Sequence, residues 1–219
     1  DTPLLLARNN GFSFEQKVMK RITDIAFSII LIVLTSPIML ITAIAIKLYD
    51  GGSPIHQQTR LTMGGKEFNV YKFRSMVMDA EKDGIARLAA EGDVRVTPIG
   101  KIIRRTRIDE LPQLLNIFKG DMSVVGPRPE RPEFYRKYCA EYPEFAYRLR
   151  AKAGLTGYAQ LYGKYNTTFA DKALLDMYYI QKASFLWDLQ LIFYTLKIIF
   201  VKESSIKVTT DGNGTASAD

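Results

Sequence analysis

The strongest constraint on the fold is one uncharged stretch of 22 residues at positions 25–46. An α-helix of that length measures about 33 Å and could cross the roughly 30 Å hydrocarbon core of a bilayer. Ser36 and Pro37 lie near its middle. Proline has no amide proton and clashes with the carbonyl four residues earlier, at Val33. We therefore predict a helix that kinks or breaks at Ser36-Pro37, where the Ser36 hydroxyl could bond a freed carbonyl.

Both ends of this stretch are basic, since Lys17, Lys20 and Arg21 precede it and Lys47 follows it. A helix that crosses the membrane usually carries more Lys and Arg on its cytoplasmic side. Two similar ends therefore favour a re-entrant helix-break-helix, which enters and leaves through one face of the membrane. A kinked transmembrane helix remains the alternative, because proline is common in true spans.

The composition excludes several kinds of catalytic site. His56 is the only histidine and Cys139 the only cysteine, so a His-rich zinc site and an internal disulfide are excluded. Ser-His and Cys-His catalysis are disfavoured, which leaves carboxylates as the candidate nucleophile and base. The net charge of +7 suits an anionic partner. Since no nucleic-acid-binding motif is recognisable, we expect phosphorylated substrates or anionic lipids and no nucleic acid.

The predicted architecture is an α+β, mostly helical, monotopic membrane protein with interfacial amphipathic helices and a small β element. Residues 1–16 are expected to form a leader that ends an upstream domain, and residues 203–219 a flexible tail. Between them we expect the re-entrant membrane helix at 17–50 and a catalytic domain at 51–202. Residues 183–201 predict an interfacial helix, although a core helix is the commoner explanation of such a pattern.

Within the catalytic domain, residues 68–74 have the composition of a strand. Its alternation places Lys72 and Arg74 on one face, where they form either a solvated edge or a diphosphate site. The segments 76–90, 99–107 and 133–152 are predicted helices.

An acidic pair, Asp109-Glu110, is predicted to open a further helix. Such a pair is usually a cap that interacts with free amides and the helix dipole. Here Arg104, Arg105 and Arg107 directly precede it, so a carboxylate and a phosphate could meet beside a helix N-terminus. The pair is therefore a candidate for the nucleophile and base of an aspartyl phosphate mechanism.

Two further segments are candidates for the site. In Gly126-Pro127-Arg128-Pro129 a proline on each side of Arg128 fixes the backbone and presents one guanidinium rigidly, although an ordinary turn is the simpler interpretation. Asp176 lies in an apolar and aromatic helical segment, where an aspartate more often faces solvent than acts in a site.

Together these motifs resemble those of one family, in both type and order. In chain order they are Lys20-Arg21 with Asp24, Ser36-Pro37, Tyr71-Lys72-Phe73-Arg74-Ser75-Met76, Arg104, Asp109-Glu110-Leu111-Pro112-Gln113-Leu114, Gly120-Asp121-Met122-Ser123, Gly126-Pro127-Arg128-Pro129 and Gly154-Leu155-Thr156-Gly157. Each motif alone is weak, but the ordered set is specific. The chain thus resembles the bacterial sugar transferases, the monotopic phosphoglycosyl transferases, from about Lys17 to Lys202.

The resemblance implies a reaction and roles for individual residues. A sugar phosphate would pass from a UDP-sugar to undecaprenyl phosphate with release of UMP, through a covalent aspartyl-phosphosugar intermediate. Asp109 would be the nucleophile and a Mg²⁺ ligand, and Glu110 would deprotonate the incoming polyprenol phosphate. Family members place phosphate-binding or active-site residues at the positions of Lys72, Arg104, Arg128 and Asp176.

The resemblance also implies a location. It favours one-face insertion of the helix broken at Ser36-Pro37, among the lipids of the bacterial inner membrane and at its cytoplasmic face. The leader resembles the junction after an N-terminal domain in larger members, so we expect a catalytic part of a longer enzyme. The segments 128–134 and 162–168 are most similar to members that serve exopolysaccharide or capsule assembly.

Two departures from the family pattern concern substrate contacts. Ala153 stands where many members have proline, and Gly163-Lys164 stands where many have Gly-Arg. A lysine cannot make the bidentate contacts of an arginine, so the contact at Lys164 is open.

Two other functions remain open from the sequence. A membrane-bound glycosyltransferase would move the sugar alone and release UDP, and a non-enzymatic docking module would not depend on Asp109. The sugar and the oligomeric state, including a homodimer, cannot be read from the sequence.

Overall fold

The computed structural model describes residues 13–80, 92–163 and 167–200, without the side chains of the last two. Within these ranges the helices are α1 Phe14–Asp50, α2 Pro98–Arg105, α3 Gln113–Lys119, α4 Pro132–Glu141, α5 Tyr158–Tyr162, α6 Phe169–Lys182 and α7 Phe185–Phe200. The strands are β1 Ile55–Leu61, β2 Glu67–Phe73, β3 Ser123–Val125 and β4 Gly154–Thr156. The α+β fold, mostly helical with little sheet, is confirmed. Most of the predicted leader and the whole tail lie outside the described residues.

Helix α1 does not break at Pro37. It begins at a capping box formed by Ser13 and Gln16 and continues to Asp50, so the predicted interruption of the helix is wrong. The predicted bond of Ser36 is present, because its Oγ donates to the Val33 carbonyl at 2.8 Å. This carbonyl is the one that Pro37 leaves without an amide partner. The side-chain hydroxyl satisfies it, which is a physical reason for the helix to continue.

Only one face of α1 packs against the rest of the protein. Its buried residues recur at helical spacing and are Asp24, Ser28, Thr42 and Ile46. The opposite face is apolar and open, with Ile30, Val33, Leu34 and Ile41 between 56% and 68% exposed. By length and composition α1 could cross a membrane, and its most apolar window has a mean hydropathy of 2.7. Such an apolar face is typical of contact with lipid.

The two sheets are small. Strands β1 and β2 form an antiparallel hairpin in which Ile55 pairs with Phe73 and Leu61 with Glu67. Strands β3 and β4 pair in parallel. The predicted strand is confirmed, but it ends at Phe73, and Phe73 is buried like Phe68 and Val70. Phe73 packs in a different core cluster from Phe68 and Val70, so both faces are covered at the end of β2, and Arg74 lies beyond the strand.

The other predicted helices are found in part. Helix α2 confirms the prediction at 99–107, whereas the segment 133–152 divides into α4 and the 3₁₀ segment Pro143–Arg150. Pro143 has no amide proton to continue α4. Met76 is not helical but forms a β-bridge with Val96, and residues 81–90 of that predicted helix lie outside the described residues.

A buried amide connects α3 to β2. Asn116 is fully buried, its Oδ1 accepts from the Tyr71 amide at 3.0 Å, and its Nδ2 donates to the Asn69 carbonyl at 2.8 Å. Buried polar groups of this kind impose one arrangement because an unpaired alternative is costly. Asn116 thus fixes the position of α3 relative to the strand that carries Lys72.

Helix α7 has the exposure pattern of an interfacial helix. Leu191 is buried, but Leu186 and Phe193 are 69% and 65% exposed. Its Trp187 ring lies 5.8 Å from the rings of both Tyr158 and Tyr178. This exposure disfavours the alternative of a core helix.

Trp187 is the only tryptophan of the chain and therefore reports the depth of α7. In vesicles we expect lipids brominated near the headgroup to quench its fluorescence more strongly than lipids brominated at the chain ends, because α7 would lie in the interface. Vesicles of unbrominated lipid are the control. Emission that is equal in all three kinds of vesicle would contradict an interfacial α7.

Candidate active site

The acidic dyad, Asp109 and Glu110, lies in a 3₁₀ turn between α2 and α3 and not at the start of a long helix. Arg107 directly before it has φ of 59°, the one positive φ at a non-glycine residue within the described ranges. Such a backbone costs about 1–3 kcal/mol and is commonest at functional sites. The left-handed backbone of Arg107 ends the short connection after α2 and directs the dyad toward β2.

Glu110 is the junction of the site. Its Oε1 accepts from Lys72 Nζ at 3.1 Å and from Arg128 Nη2 at 3.0 Å, and its side chain is 12% exposed. Arg107 lies at the edge of ion-pair distance, 4.0 Å from the same oxygen. Burial alone would raise the pKa of Glu110, but Arg128 and Lys72 outweigh it and lower the pKa to about 2. Three separate segments of the chain thus meet at one carboxylate.

Asp109 has the opposite electrostatic environment. Burial and the neighbouring charge of Glu110 raise its pKa, against the weaker effects of Lys72, Arg107 and Arg104. Its Oδ1 is buried and has no hydrogen-bond partner among the residues that the structure describes. Two adjacent carboxylates whose pKa values move apart are suited to different chemical roles. A buried carboxylate with a free oxygen is suited to be a nucleophile or a cation ligand.

The structure brings some of the predicted cations to the dyad and not others. Lys72 and Arg128 contact Glu110, and Arg104 contributes to the field at Asp109 while its Nε donates to Ser75 Oγ at 2.7 Å. Arg74 is not among them. Its guanidinium pairs with Asp50 and its Nε donates to the Ser53 carbonyl, so it anchors the end of α1.

Asp176 does not touch the dyad and does not face solvent either. It pairs with Arg148 at 2.8 Å, with side chains 2% and 6% exposed. Burial raises the pKa of Asp176 to about 6, and Arg148 opposes this. Arg148 Nη2 also donates to the Arg128 carbonyl at 3.0 Å. Asp176 is therefore connected to the arginine loop through Arg148. The sequence did not indicate Arg148, because basic residues of amphipathic helices are usually solvated.

The arginine loop, residues 126–129, is held against residues 152–157 by close backbone contacts. The Gly126 amide donates to Thr156 and the Gly154 amide to Pro127, both at 2.8 Å. A Cβ at Gly157 would lie 2.1 Å from the Gly126 carbonyl oxygen. Only glycine permits that approach, which explains the glycines of the segment 154–157.

The departure at Ala153 has a physical explanation. The Ala153 amide donates to Thr62 Oγ1 at 3.1 Å, and a proline could not make this bond. Lys164 lies outside the described residues.

The dyad fits one mode of Mg²⁺ binding, in which the protein supplies few of the ligands. Within the described ranges no cluster of three or more His, Cys, Asp or Glu side chains could enclose a metal. Mg²⁺ is commonly held by one or two carboxylates together with water and substrate phosphates. The unpartnered Oδ1 of Asp109 is an oxygen of the type that could serve as such a ligand.

The buried pair supports one prediction on stability. We expect Asp176→Ala to lower the free energy of unfolding by about 3–5 kcal/mol, because Arg148 would remain buried without its counter-ion. The double variant Asp176→Leu, Arg148→Met should lose less. Chemical unfolding in detergent measures both.

As a matched control, Glu133→Ala removes an ion pair at 3.7 Å whose glutamate is 58% exposed, and we expect it to lower the free energy of unfolding by less than about 1 kcal/mol. A double variant that is less stable than Asp176→Ala would contradict this reading.

Several curated proteins are similar to this chain in sequence. The chain is 42% identical to the UDP-N-acetylgalactosamine-undecaprenyl-phosphate N-acetylgalactosaminephosphotransferase of Aeromonas hydrophila over 184 residues, 83% of this chain and 43% of that protein. It is 38% identical to the UDP-glucose:undecaprenyl-phosphate glucose-1-phosphate transferase of Caulobacter vibrioides over 191 residues, 85% of this chain and 71% of that protein. An Escherichia coli protein of the latter name is 35% identical over 210 residues, 94% of this chain and 43% of that protein.

The chain therefore spans less than half the length of some curated relatives and most of the length of others. A family model of bacterial sugar transferases matches residues 15–202, which include nearly all of α1, the dyad and the arginine loop. The chain belongs to the bacterial sugar transferase family.

Proposed function

We propose that the protein transfers a sugar phosphate from a UDP-sugar to undecaprenyl phosphate and releases UMP. The observation that carries the proposal is the dyad: a buried carboxylate with an unpartnered oxygen, Asp109, lies beside a carboxylate held by Lys72 and Arg128. The relatives are named for transfers of this kind. Their names differ in the sugar, so the sugar stays open.

In the first step Asp109 would act as the nucleophile. One of its oxygens forms a bond to the phosphorus that bears the sugar, and the bond from this phosphorus to the bridging oxygen breaks. UMP leaves with that oxygen and its electron pair. The cations around the dyad suit this step, since phosphoryl transfer depends chiefly on positioning and on stabilising charge. We assign Lys72, Arg104 and Arg128 to the diphosphate.

In the second step Glu110 would act as the base. It takes a proton from the polyprenol phosphate, whose oxygen attacks the phosphorus held by Asp109 and releases the Asp109 carboxylate. Lys72 and Arg128 hold Glu110 in the present state. Phosphate oxygens that bind these two cations would compete with Glu110 and release its carboxylate for proton transfer. Substrate binding would in this way make the base available.

A Mg²⁺ ion would be held by Asp109 and by substrate phosphate oxygens. It would supply positive charge that neutralises the diphosphate during transfer.

We further propose that α1, which stays helical through Pro37, bends there as a re-entrant helix and lies at the cytoplasmic face of the bacterial inner membrane. The first half of α1 contacts β3 through Asp24, and its last turns pack through Ile46 on Phe73 and Ile103. Both halves thus meet the same water-facing body, as one-face insertion requires. The donor and acceptor of the proposed reaction would meet at this surface, and the product would enter glycan assembly, including exopolysaccharide or capsule.

The released nucleotide tests the reaction. Purified protein in nanodiscs would receive Mg²⁺, undecaprenyl phosphate and a panel of UDP-sugars, and the nucleotide would be identified by chromatography. We expect UMP with at least one sugar, and a decrease of at least about a thousandfold for Asp109→Asn, because this variant removes the nucleophile. Glu144→Gln, which neutralises an exposed carboxylate, should retain the wild-type rate.

Each other outcome indicates a different function. Release of UDP would indicate a glycosyltransferase that moves the sugar alone. Release of neither nucleotide with any sugar would contradict an enzyme of this type and favour a docking module. UMP release at the wild-type rate by Asp109→Asn would show that Asp109 is not the nucleophile.

A further inference from the structure

The membrane helix holds the end of the helix that follows the dyad. Arg21 Nη1 donates to the Ile117 carbonyl and Nη2 to the Phe118 carbonyl, both at 2.7 Å. These carbonyls belong to the last turn of α3, where a cation is favourable, and the Ile117 carbonyl also accepts from the Gly120 amide at 3.0 Å. Gly120 follows with φ of 95°, and a Cβ there would lie 3.2 Å from Arg21 Cζ. The glycine both ends α3 and leaves room for the guanidinium.

The same turn of α1 holds the strand that leads to the arginine loop. Asp24 Oδ1 accepts from Ser123 Oγ at 3.0 Å and from the Val124 amide at 2.9 Å. Asp24 is 4% exposed and Ser123 is completely buried. Strand β3 then continues directly into residues 126–129, from which Arg128 reaches Glu110. Burial of a carboxylate costs free energy unless hydrogen bonds compensate it, and the bonds of Asp24 to β3 provide this compensation.

Arg21 and Asp24 are three residues apart, so they lie on the same face of α1. Their partners α3 and β3 are joined by the short connection at residues 120–122. One turn of α1 thus forms hydrogen bonds with the elements on both sides of this connection. On one side lies the helix that begins three residues after Glu110, and on the other lies the strand that delivers Arg128.

We propose that Arg21 and Asp24 are positioning residues of the transfer reaction, which fix Arg128 relative to Glu110 from within the membrane helix. Neither residue contacts the dyad, Lys72 or Arg128, so they act through α3 and β3. This inference rests on the proposed function. A displacement of about 1 Å in a reacting group can lower a rate by about a hundredfold, so these bonds are expected to affect turnover.

A double-mutant cycle between Asp24 and Arg128 tests the proposal. The variants are Asp24→Ala, Arg128→Ala and the double variant, with kcat and KM measured from UMP release in nanodiscs. We expect Asp24→Ala to lower kcat about tenfold or more and to change KM for the UDP-sugar little. In the Arg128→Ala background the same substitution should lower kcat less than about twofold, because the side chain that it positions is absent.

Two conservative variants separate positioning from folding. Asp24→Asn retains an oxygen that can accept from the Val124 amide, so it should restore most of kcat. Ser123→Ala removes one bond to Asp24 and retains the other, so it should lower kcat a few-fold with Arg128 present and not in its absence. Lys17→Ala, which removes an exposed cation from the same end of α1, should leave kcat unchanged. Thermal unfolding in the same nanodiscs reports any loss of folded protein.

Three results would overturn the inference. Equal fold-losses of kcat in both backgrounds would show that Asp24 does not act through Arg128. A wild-type kcat for the folded fraction of Asp24→Ala, with a lowered melting temperature, would show a purely structural role. A loss in Lys17→Ala as large as in Asp24→Ala would indicate altered membrane binding instead. Wild-type protein that releases no UMP would contradict the proposed function itself, which separates the two failures.

Discussion

The rest of the site depends on a single carboxylate oxygen. Glu110 Oε1 accepts from Lys72 on β2 and from Arg128 on the arginine loop, while Glu110 itself belongs to the turn before α3. These segments are distant in the chain, and each is held in place by contacts with other buried groups. Asn116 ties α3 to β2, and the Asp176–Arg148 pair supports the arginine loop. The cost of leaving any of these groups unpaired keeps the dyad in one geometry.

Helix α1 belongs to this arrangement as well. One face of α1 is open and apolar, whereas the other carries Arg21 and Asp24 to the segments that surround the dyad. A lipid phosphate acceptor reaches an enzyme only at the bilayer surface. A helix that contacts both the bilayer and the α3–β3 connection would therefore place the dyad at a fixed height above the lipid. Charged side chains within such a helix are retained for function more often than for stability.

The sequence predicted the charged residues of this site better than the buried residues that hold them in place. The acidic dyad, Lys72 and Arg128 were found because short motifs place carboxylates and cations in one order, and the structure brings these residues together. Arg148 and Asn116 were missed, since nothing local marks a polar residue whose partner is distant in the chain. The break at Pro37 was predicted from backbone sterics, but the Ser36 hydroxyl satisfies the freed carbonyl and the helix continues. Arg74 was placed with Lys72 by extending the alternation of the strand, but β2 ends at Phe73 and Arg74 lies beyond it.

The central claim is that Asp109 forms a covalent bond to the phosphosugar. Intact-protein mass spectrometry after incubation with a UDP-sugar and Mg²⁺, without polyprenol phosphate, tests it most directly. The account predicts an added mass equal to one sugar phosphate, located on the peptide that contains Asp109 and lost when undecaprenyl phosphate is added. If the protein turns over this sugar but stays unmodified at every time point, or carries the added mass on another residue, Asp109 is not the nucleophile.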